Sequence, residues 1–235
     1  MGAAKIAEFE WAAQLITANG TEEIRKFGPG TTSSFSYSPN LATNEQEQVR
    51  ANYMVRAKIG PRNTNFVYLG SPAFLRCDNQ MGKSKGQGCV AAGHAELHLN
   101  FNNRPYYSHV RAAIKSGLPS RLTRDTDPKT AKKRRNVVCP LGPKLPRPDG
   151  YECDEYPFAS TKQGGQLPVR TQAGLNCQMD VPSTTGSKGT SRCFIPTESN
   201  RAGGNELNSM YLKQRVLNGD EFVVLDRGDF DVPYR

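Results

Sequence analysis

Two adjacent carboxylates, Asp154 and Glu155, stand in the stretch YECDEYPFAS at residues 151–160. Further along the chain, Asn200 and Arg201 add an amide oxygen and a guanidinium group just before a predicted helix. Cutting a phosphodiester bond requires a base for water, a divalent cation such as Mg²⁺ or Mn²⁺, and basic side chains that hold the backbone. Oxygen ligands of these types suit such cations. The residues therefore indicate phosphodiester hydrolysis, although each of them alone is a weak signal.

The same residues also have simpler structural explanations. Asp154 and Glu155 could be a pair on an edge strand, with one acid facing solvent and the other satisfied by a lysine. Asn200 and Arg201 could merely cap the following helix. The types and spacing of these residues leave both explanations open.

Positive charge is concentrated in the middle of the chain. The formal net charge is +9, and residues 111–150 contain eleven Lys or Arg against three Asp or Glu. A focused basic surface attracts polyanions, of which nucleic acid is the commonest. Four basic residues in a row are the candidate phosphate contacts, and a solvated face without a partner is the alternative: Lys132, Lys133, Arg134 and Arg135.

Six cysteines occur, none in the C-x-x-C spacing that is typical of zinc sites. Taken in order along the chain they form three local pairs: Cys77 with Cys89, Cys139 with Cys153, and Cys177 with Cys193. Each pair would close a short loop, and three disulfides would indicate an oxidising compartment. Six cysteines allow 15 pairings, and six buried thiols in a cytosolic protein are the alternative.

The first hundred residues are predicted to be rich in β-structure. Residues 52–59 and 65–69 are short, strand-like runs bounded by Gly, Pro and Asn. Residues 96–101 alternate strictly between polar and apolar types. This pattern predicts a half-buried strand with three side chains inward: Leu97, Leu99 and Phe101.

Helices are predicted in the second half. Pro105 suits the first turn of a helix over residues 105–116, and Asp127 is a predicted N-cap before Pro128 for a helix that runs to about residue 138. A third helix is predicted over residues 205–217, followed by a strand over 221–225. The predicted fold class is α+β. The chain has no apolar run of the roughly 18 residues that a membrane span needs.

Three segments together resemble the secreted bacterial deoxyribonucleases of the NucA/NucB type. They are CDEYPFAST at residues 153–161, SNRAGGNEL at 199–207 and RVLNGDEF at 215–222. The segments YYSHVRAAIKSG and LTRDTDPKTAKKRRNVVC also look similar to this family, and the resemblance covers roughly residues 71–225. It implies a ββα-metal nuclease core that uses a divalent metal, Mg²⁺ or Mn²⁺.

The resemblance also implies roles for individual residues. Asp154 corresponds to the general base, and Glu155 to a metal ligand or a partner that orients the base. Asn200 corresponds to the metal ligand, and Arg201 would contact the scissile phosphate or hold the loop. His109 matches a family histidine, and Glu206 on the last helix could face the metal.

The chain departs from the family pattern at one position. Ser199 stands where the family usually has the Asp of D-N-R, and Glu198 could replace that carboxylate. If the Asp belongs to the surroundings of the metal, its loss would lower metal affinity and activity. His109, in turn, could be a structural histidine of its helix.

We therefore expect a secreted or toxin-like, metal-dependent and largely sequence-nonspecific endonuclease acting on single- or double-stranded DNA. Residues 1–100 are predicted to form a β-rich N-terminal region and residues 101–235 the nuclease domain. No membrane partner is expected, and an inhibitor or immunity protein could mask the basic face. The alternatives are a non-catalytic nucleic-acid or polyanion-binding module with a degraded site, and a ribonuclease.

Overall fold

The chain divides into two compact units, Met1–Ala92 and Gly93–Arg235. The computed structural model describes residues 8–16, 22–27, 39–59, 62–69, 73–82, 85–91, 95–171, 177 and 186–226. The predicted division at residue 100 between an N-terminal region and a nuclease domain stays a prediction, because it is a division by function.

One antiparallel sheet makes up the described part of the first unit. Its central strand is β3, which is 14 residues long, and the main strand order is β2-β1-β3-β6-β7, with β4 and β5 paired to β3. A small core of Leu15, Val49 and Cys77 lies on one face. The strands are β1 (Glu8–Ile16), β2 (Glu22–Phe27), β3 (Gln46–Ile59), β4 (Arg62–Asn63), β5 (Val67–Tyr68), β6 (Ala73–Asp78) and β7 (Gly88–Ala91).

The second unit holds two three-stranded sheets. In the first, β13 (Glu221–Leu225) lies between β8 (Ala95–His98) and β9 (Arg121–Thr123). The other sheet has the order β10-β12-β11, so β10 is an edge strand. Its strands are β10 (Tyr151–Tyr156), β11 (Val169–Arg170) and β12 (Thr190–Pro196).

Three helices pack on these sheets: α1 (Arg104–Lys115), α2 (Pro128–Val138) and α3 (Thr197–Lys213). Asp127 caps α2 as predicted, since its carboxylate accepts hydrogen bonds from the backbone N–H groups of Lys129 and Thr130. The helix α3 follows β12 directly, so the antiparallel pair β10 and β12 and this helix form a ββα arrangement. The predicted α+β class with a ββα core is confirmed.

All three predicted disulfides are present. Cys77–Cys89 joins β6 to β7, Cys139–Cys153 ties the end of α2 to β10, and Cys177–Cys193 attaches a loop to β12. A disulfide of this loop length stabilises a fold by about 2–4 kcal/mol. None of the described helices has the length and apolar character that crossing a membrane requires.

Two structural predictions were wrong in detail. Phe101 is 46% exposed, because the chain leaves the strand at Asn100, whose carbonyl accepts from the Asn103 N–H in a turn before α1. The last helix begins at Thr197 rather than at residue 205. Gly203 lies within this helix, and the ring of Tyr106 packs where a Cβ atom at position 203 would lie.

Candidate active site

A cleft of about 690 Å³ in the second unit is bordered by α2, β10 and α3. Its lining carries both signs of charge. The acidic side chains come from β10, the basic ones come from α2 and the loop after it, and one amide comes from α3. They are Glu152, Asp154 and Glu155; Lys132, Arg135 and Arg147; and Asn200.

The edge position of β10 explains how neighbouring acids reach one cleft. Side chains along a strand alternate between the two faces of the sheet, so Glu152 and Asp154 share a face while Glu155 lies on the other. Among the described residues no strand pairs with the outer edge of β10, and side chains of both faces border the space beside it. A pair of acids that would be separated in a central strand is therefore brought together here.

Asp154 forms a hydrogen bond with a buried histidine on α1. Nδ1 of His109 lies 2.6 Å from Oδ2 of Asp154, and its Nε2 lies 2.8 Å from Oγ of Ser191 on β12. An ionised carboxylate only accepts hydrogen bonds, so Nδ1–H donates to Asp154, and in the neutral ring Nε2 accepts from the Ser191 hydroxyl. His109 is 0% exposed; it contacts Asp154 rather than the cleft.

Glu155 is the carboxylate whose ionisation the site changes most. Its side chain is only 11% exposed, and this burial, with the nearby charge of Asp154, raises the pKa of Glu155 to about 7. Nε of Arg135 lies 3.7 Å from Oε1 of Glu155, and its positive charge opposes the increase. Glu155 therefore changes its charge near neutral pH, whereas an ordinary glutamate is ionised well below it.

Asn200 and Arg201 meet a carboxylate that the sequence analysis did not single out. Nδ2 of Asn200 donates to Oε2 of Glu152 over 2.9 Å, and Nη2 of Arg201 donates to Oε1 of the same residue over 3.3 Å. Asn200 lies in the first turns of α3 and lines the cleft, while Arg201 is mostly exposed. The signal for Glu152 was its position two residues before Asp154, which places both side chains on one face of a strand.

The basic run of α2 divides between two roles. Lys132 and Arg135 are among the described residues that line the cleft, whereas Lys133 and Arg134 are not. Arg134 instead pairs with Asp125, with Nη1 2.8 Å from Oδ2. Residues three or four apart share a face of a helix, so four consecutive basic residues cannot all face one cleft.

Glu206 lies on α3 outside the lining of the cleft. Its Oε2 atom is buried and has no hydrogen-bond partner among the described residues. The predicted metal-binding role of Glu206 has no support from this placement.

The donors at the cleft match a hard cation that is held by few protein atoms. No group of three or more His, Cys, Asp or Glu side chains in the described ranges could enclose a metal. Glu152, Glu155 and Asn200 nevertheless supply oxygen donors among the residues that line the cleft. Mg²⁺ is commonly held by one or two carboxylates and keeps several waters, so this donor set is compatible with it.

Carboxylates on one wall of a cleft and lysine and arginine on another would suit a hydrolase that acts on a polyanion. Residues 110–225 match the sequence model of the family described as Deoxyribonuclease NucA/NucB. The part of the chain from within α1 to the end of β13 is therefore similar to this family of nucleases. A search of curated protein sequences gives no match to the chain.

Proposed function

We propose that the chain is a metal-dependent, largely sequence-nonspecific endonuclease that hydrolyses phosphodiester bonds of DNA. The observation that carries the proposal is the fixed position of Asp154, whose carboxylate lines the cleft and is held by the buried His109 at 2.6 Å. A base must be oriented before it can accept a proton efficiently, and this arrangement provides the orientation without exposing the histidine.

In the proposed reaction, Asp154 accepts the proton of the water that attacks the phosphorus atom. His109 and Ser191 hold its carboxylate in place during the transfer. Lys132, Arg135 and Arg147 offset the negative charge of the DNA backbone along the cleft. None of these contacts depends on base identity, which favours cleavage with little sequence specificity.

Glu152, Glu155 and Asn200 would hold the divalent cation, Mg²⁺ or Mn²⁺. When bound, the cation supplies Lewis-acid stabilisation of the charge that develops on the phosphate oxygens. The hydrogen bond from Asn200 to Glu152 orders both groups before a metal arrives. Arg201, which also donates to Glu152, is proposed to hold this carboxylate.

Three disulfides are compatible with an extracellular protein, and we propose that the nuclease is secreted or delivered as a toxin. In the second case an acidic inhibitor or immunity protein would suit the basic wall of the cleft, because opposite charges speed association.

The test is nicking of supercoiled plasmid with Mg²⁺ or Mn²⁺, with and without EDTA, by wild type, Asp154→Asn and Glu152→Gln. We expect wild type to cleave the plasmid and EDTA to abolish this cleavage. Asp154→Asn should reduce the cleavage rate by about three orders of magnitude. Asp149→Asn, which changes an exposed aspartate, is the control and should leave the rate unchanged. Binding of Mn²⁺, followed by electron paramagnetic resonance, should weaken in Glu152→Gln.

The result also separates the alternatives. Binding of plasmid without cleavage in any metal would mean a non-catalytic nucleic-acid-binding module, for which Ser199 in place of the family Asp is the motivation. A matched RNA substrate cut faster than DNA would mean a ribonuclease, since only RNA offers a 2′-hydroxyl to the site.

A further inference from the structure

Tyr106, the third residue of α1, is fixed against the cleft by its ring. The side chain is 2% exposed, it lines the cleft, and it stacks on Phe158 with ring centroids 6.5 Å apart and an angle of 14° between the planes. Gly203 of α3 also packs against the ring, so closely that a Cβ atom at this position would clash with it. These two contacts leave the ring little freedom to move.

The hydroxyl of Tyr106 is buried and has no hydrogen-bond partner among the described residues. The other three buried tyrosines in the described part of the second unit each have such a partner. The Tyr107 hydroxyl donates to Asp226 over 2.5 Å, the Tyr156 hydroxyl donates to the Pro119 carbonyl over 2.7 Å, and the Tyr211 hydroxyl lies 3.0 Å from that of Ser160.

An unsatisfied buried hydroxyl is costly. Leaving a buried donor without an acceptor destabilises a fold by about 1–3 kcal/mol, and such groups in folded proteins usually have a functional explanation or a missing partner. Replacing Tyr106 by phenylalanine would remove this cost while keeping the ring packing. The hydroxyl is therefore retained at the expense of stability.

The surroundings of the hydroxyl define it as a donor. Burial, followed by the charges of Asp154 and Glu206, holds the pKa of Tyr106 well above its ordinary value. The group thus keeps its proton at every working pH and offers it to an acceptor. The acceptor that enters this cleft under the proposed function is a phosphate oxygen.

We propose that Tyr106 is a further catalytic residue, whose hydroxyl donates a hydrogen bond to a non-bridging phosphate oxygen of the bound nucleic acid. The inference rests on the proposed function and deepens it. Charge accumulates on these oxygens in the transition state, and a fixed donor in a site that excludes water stabilises that charge more than it stabilises the ground state. Because the hydroxyl is shielded from solvent in the free protein, the proposed bond requires a local rearrangement of the cleft wall when substrate binds.

The test compares Tyr106→Phe with Tyr107→Phe, the same chemical change at the next residue of the helix. Tyr106→Phe should lower kcat/KM by about 10²-fold, weaken binding of a short phosphorothioate duplex about three- to tenfold, and leave the melting temperature unchanged or higher. Tyr107→Phe, which loses its bond to Asp226, should lower the melting temperature and leave kcat/KM unchanged.

Two outcomes would overturn the inference. One is a Tyr106→Phe protein that cleaves and binds as well as wild type. The other is a decrease in melting temperature in Tyr106→Phe as large as that in Tyr107→Phe, together with no further decrease when Glu206→Gln is added to Tyr106→Phe. That result would mean that the Tyr106 hydroxyl bonds to Glu206 in the free protein. The binding measurement decides the inference even if wild type does not cleave, which separates its failure from that of the proposed function.

Discussion

His109 and Asp154 form a hydrogen-bonded pair in which only the aspartate reaches the cleft. Nδ1 of the histidine lies 2.6 Å from Oδ2 of the aspartate, and the ring is 0% exposed between Asp154 and Ser191. Because the histidine does not line the cleft, we expect it to affect the proposed reaction through the orientation and charge of Asp154.

Substitution of the histidine should therefore cost less than substitution of the aspartate. We expect His109→Ala to reduce the plasmid-nicking rate about 10- to 100-fold, the usual effect of removing a group that orients a catalytic side chain. His109→Gln, whose amide N–H can donate to Asp154, should restore part of that rate. Melting curves of both variants separate this effect from loss of fold.

The double variant gives the sharper comparison. In the Asp154→Asn background, His109→Ala should produce no further loss of rate, because residues that act as a unit are not additive. Independent losses that multiply would show that His109 contributes in another way.

Glu155 should make stability depend on pH in an unusual direction. Its pKa is raised from 4.5 to about 7 in the folded protein, so the folded state holds a proton that the unfolded state releases. This contribution stabilises the fold at or below pH 4.5 and is lost as the pH rises through 7. The free energy of unfolding of wild type minus that of Glu155→Gln should decrease by on the order of 3 kcal/mol between pH 4.5 and 7. Urea unfolding in EDTA measures the difference.

The adjacent arginine supplies the control for this prediction. Arg135→Ala removes the positive charge 3.7 Å from Glu155, so the pKa of the carboxyl should increase further and the stability difference should extend to higher pH. A pH dependence that is the same in wild type and Glu155→Gln would contradict the assignment.

Neighbouring lysines of α2 should differ in their effect on DNA binding. Lys132 lines the cleft and Lys133 does not, although both are exposed. We expect Lys132→Ala to reduce by about one the slope of log affinity against log salt concentration, the effect of losing one phosphate contact. Lys133→Ala should change the slope little, and fluorescence anisotropy of a labelled duplex measures both.

Arg134 should behave as a structural residue in the same series. It pairs with Asp125 rather than facing the cleft. Arg134→Ala should lower the melting temperature and leave the salt dependence of binding unchanged. If Arg134→Ala changed the slope of log affinity against log salt concentration as much as Lys132→Ala does, DNA would contact residues of α2 outside the cleft.

The Cys139–Cys153 disulfide should matter for activity as well as stability, because it connects the end of the basic helix to the strand that carries the acids. Replacing both cysteines by serine should lower the free energy of unfolding by about 2–4 kcal/mol and reduce nicking at temperatures where the fold is intact. The matched control is Cys77→Ser with Cys89→Ser, a disulfide of the first unit; full loss of nicking in that control would contradict the prediction.

Local signals were sufficient for much of the second unit. Asp127 before Pro128 determines the start of α2 because a side-chain acceptor and a proline suit the first turn. The alternation of residues 96–101 identified a strand whose Leu97 and Leu99 are buried. These features depend on residues close together in the sequence.

Features that depend on distant residues could not be predicted in this way. The last helix was predicted to start at residue 205, but it begins at Thr197, and the ring of Tyr106, almost a hundred residues earlier, packs over Gly203 within it. The partnership of Glu152 with Asn200 follows from the ββα arrangement. The spacing of Glu152 and Asp154 places both side chains on one face of a strand, but it does not identify Asn200 as the partner of Glu152.

The contact between the Tyr106 ring and Gly203 has a consequence for related chains. Each residue occupies the space that the other leaves, so neither can change size alone without a clash or a cavity. Across homologous sequences a tyrosine at position 106 is therefore expected to be accompanied by a glycine at position 203. A larger residue at position 203 beside that tyrosine would contradict this packing.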